Sequence, residues 1–100
     1  MTVSITSDQP GKLTIAVDGR FDFADHQAFR EAYARDARGS RKYEVDMRNA
    51  QFMDSSALGM LLQLRDHAGG QRDGVTITHC NEDIGEILRI SNFHKLFEMP

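Results

Sequence analysis

The chain alternates between two hydrophobic periods. In Lys12-Leu13-Thr14-Ile15-Ala16-Val17-Asp18 the large apolar residues fall at every second position, the mark of a strand with one buried face. Val3 and Ile5 repeat that spacing upstream, and Gln9-Pro10-Gly11 between the runs supplies turn chemistry, so a hairpin is expected. A helical period follows: Ala24, Ala28, Phe29, Ala32 and Tyr33 recur three and four apart, up to a stop at Gly39-Ser40. Tyr43, Val45 and Met47 then restore period two. The spacing predicts a second helix from Ser55 to His67, ended by Gly69-Gly70, a strand through Val75 and Ile77, and a third helix carrying Ile84, Ile87 and Leu88. Phe93, Leu96 and Phe97 form a last apolar clasp. The order β-β-α-β-α-β-α places the strands on either side of the second helix in parallel. Each strand alternates and none is apolar throughout, so one face of the sheet should meet water. The expected fold is α/β with two layers: a mixed four- to five-stranded sheet with helices packed on one face.

The start of the second helix carries the candidate chemistry. Asp54, Ser55 and Ser56 are all capping residue types, placed just before the apolar run. A wheel at about 100° per residue puts Ala57, Leu58, Leu61, Leu62, Leu64 and Ala68 on the sheet side. Ser55 then falls at the edge of that arc beside Leu62, Met60 at its margin, and Ser56 on the opposite side with Gly59, Gln63 and His67. The wheel thus gives an exposed strip that begins with a hydroxyl and has a bare patch of backbone at Gly59. A phosphate on Ser56 would add about -1.5 to -2 charge in the first helical turn. The helix dipole and free N–H groups favour an anion there, although Asp54 opposes it. A partner lying on Gly59 and Met60 would have to bury that charge or leave.

Composition narrows the function by exclusion. Twelve Lys and Arg against fifteen Asp and Glu leave a net charge of -3, a poor match to nucleic acid as main partner. Arg35, Arg38, Arg41, Lys42 and Arg48 are interspersed with Glu31, Asp36, Glu44 and Asp46, as on a solvated mixed surface. No apolar run reaches the roughly 20 residues of a membrane span, and Met1 to Gly11 has no signal-peptide pattern, so a cytoplasmic domain is expected. Cys80 is the only cysteine and reads as a small buried hydrophobe. His26, His67, His79 and His94 sit on separate elements without metal-ligand spacing, so neither metal nor cofactor is expected. The serines lack a Gly-x-Ser-x-Gly elbow, and the glycines form neither a P-loop nor a dinucleotide fingerprint. No catalytic apparatus emerges; the chain reads as a substrate of enzymes and not as one.

The segment Phe52-Met53-Asp54-Ser55-Ser56-Ala57-Leu58-Gly59 resembles the hallmark of STAS domains, the bacterial anti-sigma factor antagonists. Gly19-Arg20-Phe21-Asp22 resembles the family's loop before the first helix, and Ile90 to Phe97 its closing segment, so the likeness spans nearly all of residues 1–100 as one domain. The resemblance implies a partner switch. The unphosphorylated protein binds an anti-sigma factor or serine kinase, phosphorylation of Ser56 breaks the complex, and a metal-dependent serine phosphatase resets it. It also implies a partner surface of Asp22, Asp54, Ser55, Ala57, Gly59, Met60 and Gln63, with the two aspartates flanking Ser56. Ala57 departs from the glycine of many members, which stiffens the helix start. The alternative is a non-switching accessory subunit of a lipid-transport ATPase complex, docked through the same helix face.

Overall fold

The computed structural model describes residues 3–100; Met1 and Thr2, at the start of the expected domain, lie outside the described residues. The elements are β1 (Val3–Gln9), β2 (Lys12–Phe21), α1 (His26–Ala34), β3 (Lys42–Met53), α2 (Ser55–His67), β4 (Val75–Thr78) and α3 (Glu82–Ile90). Short 3-10 turns cover Phe23–Asp25, Arg72–Gly74 and Phe93–Lys95. The sheet has four strands in the order β1-β2-β3-β4, with β1 antiparallel to β2 and the β2–β3 and β3–β4 pairs parallel. A single bridge from Thr76 to Glu98 extends it where a fifth strand would lie. The smallest dimension of the Cα trace is 19 Å, as two packed layers require.

Alternation explains most of the core. Leu13, Ile15 and Val17 of β2, Tyr43, Val45 and Met47 of β3, and Val75 and Ile77 of β4 are all buried. On the other face Lys12 pairs with Glu44 at 2.8 Å, and Thr78 Oγ1 donates to Glu44 Oε2 at 2.8 Å. The closing segment stacks Phe93 on Phe97 with centroids 5.2 Å apart, and both are buried.

Two elements differ from the expected bounds. β3 runs on to Met53 because its pairing with β2 slips twice, between Ala16 and Asp18 and between Gly19 and Arg20. Each slip gives β3 one extra residue. Its inward positions therefore become Met47, Ala50 and Met53, three apart and not two. The first helix is shorter than its periodicity. Ala24 lies in a 3-10 turn and Ala28 is exposed, leaving Phe29, Ala32 and Tyr33 as the buried stripe. It ends at Ala34, well before Gly39, because Asp36 is drawn into hydrogen bonds with Arg41 and Tyr43.

Candidate functional site at the start of the second helix

β2 and β3 end together. Phe21 is paired with Met53, and the Asp54 amide donates to the Phe21 carbonyl at 3.3 Å. Asp22 and Asp54 therefore leave the sheet side by side, each opening a helical segment. Asp22 accepts from the Ala24 amide at 3.0 Å, while its own amide donates to Asp25 Oδ2 at 3.3 Å, a reciprocal cap. Asp54, in extended geometry, accepts from the Ala57 amide at 3.1 Å. Both carboxylates are tied to backbone, which fixes two negative charges beside the first turn of α2.

The cap settles what the two serines do. Asp54 is the N-cap, so Ser55 and Ser56 are the first two helical residues and neither hydroxyl holds the helix start. Ser55 is exposed and Ser56 half-buried. Gly59 is exposed, and a Cβ added there would meet nothing within 4 Å. Its lack of a side chain is thus not needed for packing within this chain.

Two residues of the partner surface implied by the resemblance lie in the core, Ala57 where the wheel places it and Met60 beyond the margin the wheel gives it. Ala57, Met60, Leu61 and Leu64 form the inward row, spaced i, i+3, i+4, i+7, and Met60 is only 3% exposed. Ala57 is fully buried. Neither side chain can contribute surface to a partner in this fold. Leu62, counted as core because it is leucine, is 42% exposed. The helix is turned by about 60° from the expected orientation, and its outward strip is Ser55, Gly59, Leu62, Gln63 and Asp66, headed by Ser55 and not by Ser56, which is half-buried.

Three neighbours escaped the sequence reading. Phe23 is 67% exposed and stacks on His26 with centroids 5.3 Å apart. Phe52 is also exposed, with the Arg20 guanidinium 4.5 Å over its ring. Arg20 reaches Asp22 as well, at 3.4 Å. With Leu62 these residues surround the helix start with apolar surface that a folded chain gains nothing by exposing. A signal existed for Phe23, an aromatic with Asp22 directly before it and Asp25 two residues after it. None existed for Phe52, whose outward direction follows from the second slip of β3.

The remaining candidates lie elsewhere. Among the described residues no three His, Cys, Asp or Glu side chains gather as metal ligands. His67 packs on Tyr33, and Arg48 donates to His79 at 2.9 Å. Cys80 is half-buried, and burial pushes its thiol pKa up against the pull of Arg89. Three of the interspersed basic residues are paired with acids, as on a mixed surface: Arg38 with Asp66, Arg41 with Asp36 and Asp8, and Lys42 with Asp73.

The domain thus joins a two-layer fold to a capped helix start, two fixed aspartates and exposed aromatics at one end. The family model described as "Mlab, STAS domain" matches residues 5–98, and the chain belongs to the STAS-domain family. It is 54% identical over 88 residues to a STAS-domain containing protein of Pseudomonas aeruginosa (strain UCBPP-PA14), covering 88% of this chain and 87% of that one. Solved structures share the fold at low identity. An anti-sigma factor antagonist from Mycobacterium paratuberculosis superposes with TM-score 0.78 at 19% identity, over 98% of this chain and 83% of that one. The unphosphorylated anti-sigma factor antagonist SpoIIAA gives 0.73 at 14%, over 98% and 86%. Phosphorylated Bacillus SpoIIAA gives 0.73 at 13%, over 98% and 90%.

Proposed function

We propose that the chain is an anti-sigma factor antagonist in a partner-switching pathway. It binds an anti-sigma factor or serine kinase through the start of α2, is released when Ser56 is phosphorylated, and is reset by a serine phosphatase. It acts in the cytoplasm as a regulator and not as an enzyme. The observation that carries this reading is the division of labour at the helix start. Asp54 holds the cap, so a phosphate on Ser56 leaves the hydrogen bond that starts the helix intact. It also adds charge two residues after Asp54, at the end of the domain that exposes Phe23 and Phe52, where a docked partner would have to bury it. The SpoIIAA fold, which this chain shares, is known in phosphorylated and unphosphorylated forms, so the architecture accommodates the modification. The proposed contact surface is Asp22, Asp54, Ser55, Gly59 and Gln63, with Leu62, Phe23 and Phe52 added and with Ala57 and Met60 supporting it from the core.

The test is binding of wild type, Ser56→Asp and Ser56→Ala to the anti-sigma factor or serine kinase encoded in the source organism. The Ser56→Asp variant should lose binding with an unchanged circular dichroism spectrum, and Ser56→Ala should bind constitutively. Undiminished binding by Ser56→Asp would overturn the switch. The exposed Leu62 also suits permanent docking on a lipid-transport ATPase; co-purification with an ATPase and permease, indifferent to Ser56→Asp, would establish that reading instead.

A further inference from the structure

The two edges of the sheet are finished differently. Along β4 the closing segment acts as a cover: the Ile77 amide donates to the Glu98 carbonyl at 2.8 Å, and the Glu98 amide to the Val75 carbonyl at 3.1 Å. β1 is the other edge, and no strand among the described residues lies along its outer side. Exposed edges are ordinarily blunted by lysine, by proline or by brevity. β1 has seven residues, no lysine and no proline, and its single charge, Asp8, is held by Arg41 at 2.7 Å. Its bulge falls between Ile5 and Ser7, so Val3 to Ile5 keep a regular edge. Val3 and Ile5 pair with Val17 and Ile15 and so point to the helix side of the sheet. There they wall a groove of about 360 Å³ whose other wall is α1. Ala28 and Ala32 keep that wall apolar, and Ile5 is 36% exposed. Glu31 and Arg35 complete the lining; both are exposed, and neither has an ion pair among the described residues, although four residues apart on a helix they are in reach of each other.

From this geometry we infer that the β1 edge and the groove beside it are the contact surface for a second copy of this chain. A two-fold axis that sets β1 antiparallel to its copy doubles the four-stranded sheet into one continuous sheet. α1 leads from the end of β2 back to the start of β3, which is parallel to β2, so α1 runs in the same direction as β1. The same axis therefore sets the two α1 helices antiparallel on one face. In such a pair a contact of Glu31 with the copy's Arg35 is matched by one of Arg35 with the copy's Glu31. The lining is complementary in charge to itself, whereas a partner of one charge sign would satisfy only half of it. The two Ile5 side chains approach across the axis and leave water together. The contact is small, so the dimer is weak and reversible. It does not depend on the proposed switch, since neither Ser56 nor any residue of α2 lines the groove.

The test is sedimentation equilibrium of the full chain from micromolar to millimolar concentration, at low and at high salt. Wild type should show a monomer–dimer equilibrium that salt weakens. Ile5→Lys, which sets two ammonium groups across the axis, and Arg35→Glu, which sets Glu31 against a carboxylate, should each weaken the dimer about tenfold or more, with unchanged circular dichroism. Combining Glu31→Arg with Arg35→Glu should restore it, a rescue that only pairing between copies of one chain predicts. A monomer at every concentration would overturn the proposal and leave the edge to some other partner. So would a dimer indifferent to Ile5→Lys, or a double variant no stronger than Arg35→Glu alone.

Discussion

The two ends of the sheet are built on opposite terms. At the end where β2 and β3 begin, Arg41 gathers four acceptors. It donates to Asp36 at 2.9 and 3.1 Å, to Asp8 at 2.7 Å and to the Gln9 carbonyl at 2.7 Å. Tyr43 adds its hydroxyl to Asp36 at 2.7 Å. That network spends its charges inward, locking the β1–β2 hairpin to the loop after α1. At the other end, Asp22 and Asp54 hold helix starts, Gly59 is bare, and Phe23, Phe52 and Leu62 face water. One end is closed on itself and the other is left for something to close. In a domain this small, a surface can be kept apolar and charge-sensitive because rigidity is secured elsewhere.

The largest stability effect should therefore come from the closed end. Asp36→Ala removes two of the four acceptors of Arg41 and the partner of the Tyr43 hydroxyl, and chemical denaturation should show a loss of about 2–3 kcal/mol. Partner binding measured well below the melting transition should not change. At the open end, Asp54→Ala removes the cap of α2 and should cost about 0.5–2 kcal/mol by the same measurement, whereas Ser55→Ala should cost little because Ser55 caps nothing. An equal loss for the two would erase the assignment of the cap. Gly59→Ala separates the roles more sharply. With free space around the added methyl, helix propensity should raise stability by up to about 1 kcal/mol, while calorimetry should show weakened partner binding.

The closed end also sets the pH response. Burial raises the Asp36 pKa, but hydrogen bonds from Arg41 and Tyr43 outweigh it and hold the carboxyl below its ordinary value. A depressed folded pKa contributes stability above the unfolded value of about 3.9 and loses it as pH falls through the folded value. Glu44, lowered by Lys12 against burial and helped by Thr78, acts in the same direction. Tyr43 is pushed up, by burial first and then by Asp36, so the folded chain keeps a proton that the unfolded chain loses above about pH 10. Denaturation curves should show stability falling below about pH 4 and again above about pH 10. Tyr43→Phe should flatten the alkaline limb and leave the acid one.

How far the sequence revealed this depends on where a residue's direction is decided. Local period decides it for Leu13, Ile15, Val17, Tyr43 and Val45, and their burial follows from alternation alone. The hairpin and the Gly69-Gly70 stop were equally legible, since both glycines take positive φ, at 109° and 80°. Beyond Met47 the pairing slips set the direction, and these arise from the fit of β3 against β2. Side-chain type misled for Leu62 and Met60, because the row spaced i, i+3, i+4, i+7 overrides the tally of leucines. At the site, Asp54, Ser56 and Gly59 were visible from capping chemistry and resemblance. The aromatic surround was not, since exposure of Phe52 is a tertiary outcome. The Asp36–Arg41–Tyr43 lock was hidden too, because it joins residues that in sequence are merely charged neighbours of a loop.

The account rests most heavily on the open end answering to charge at one hydroxyl. Mass-spectrometric mapping of phosphate on the protein isolated from its source, before and after treatment with a serine phosphatase, addresses that claim directly. The expected result is a near-stoichiometric phosphate on Ser56 that the phosphatase removes. An unmodified Ser56 under conditions in which the partner dissociates, or a phosphate confined to the more exposed Ser55, would contradict it.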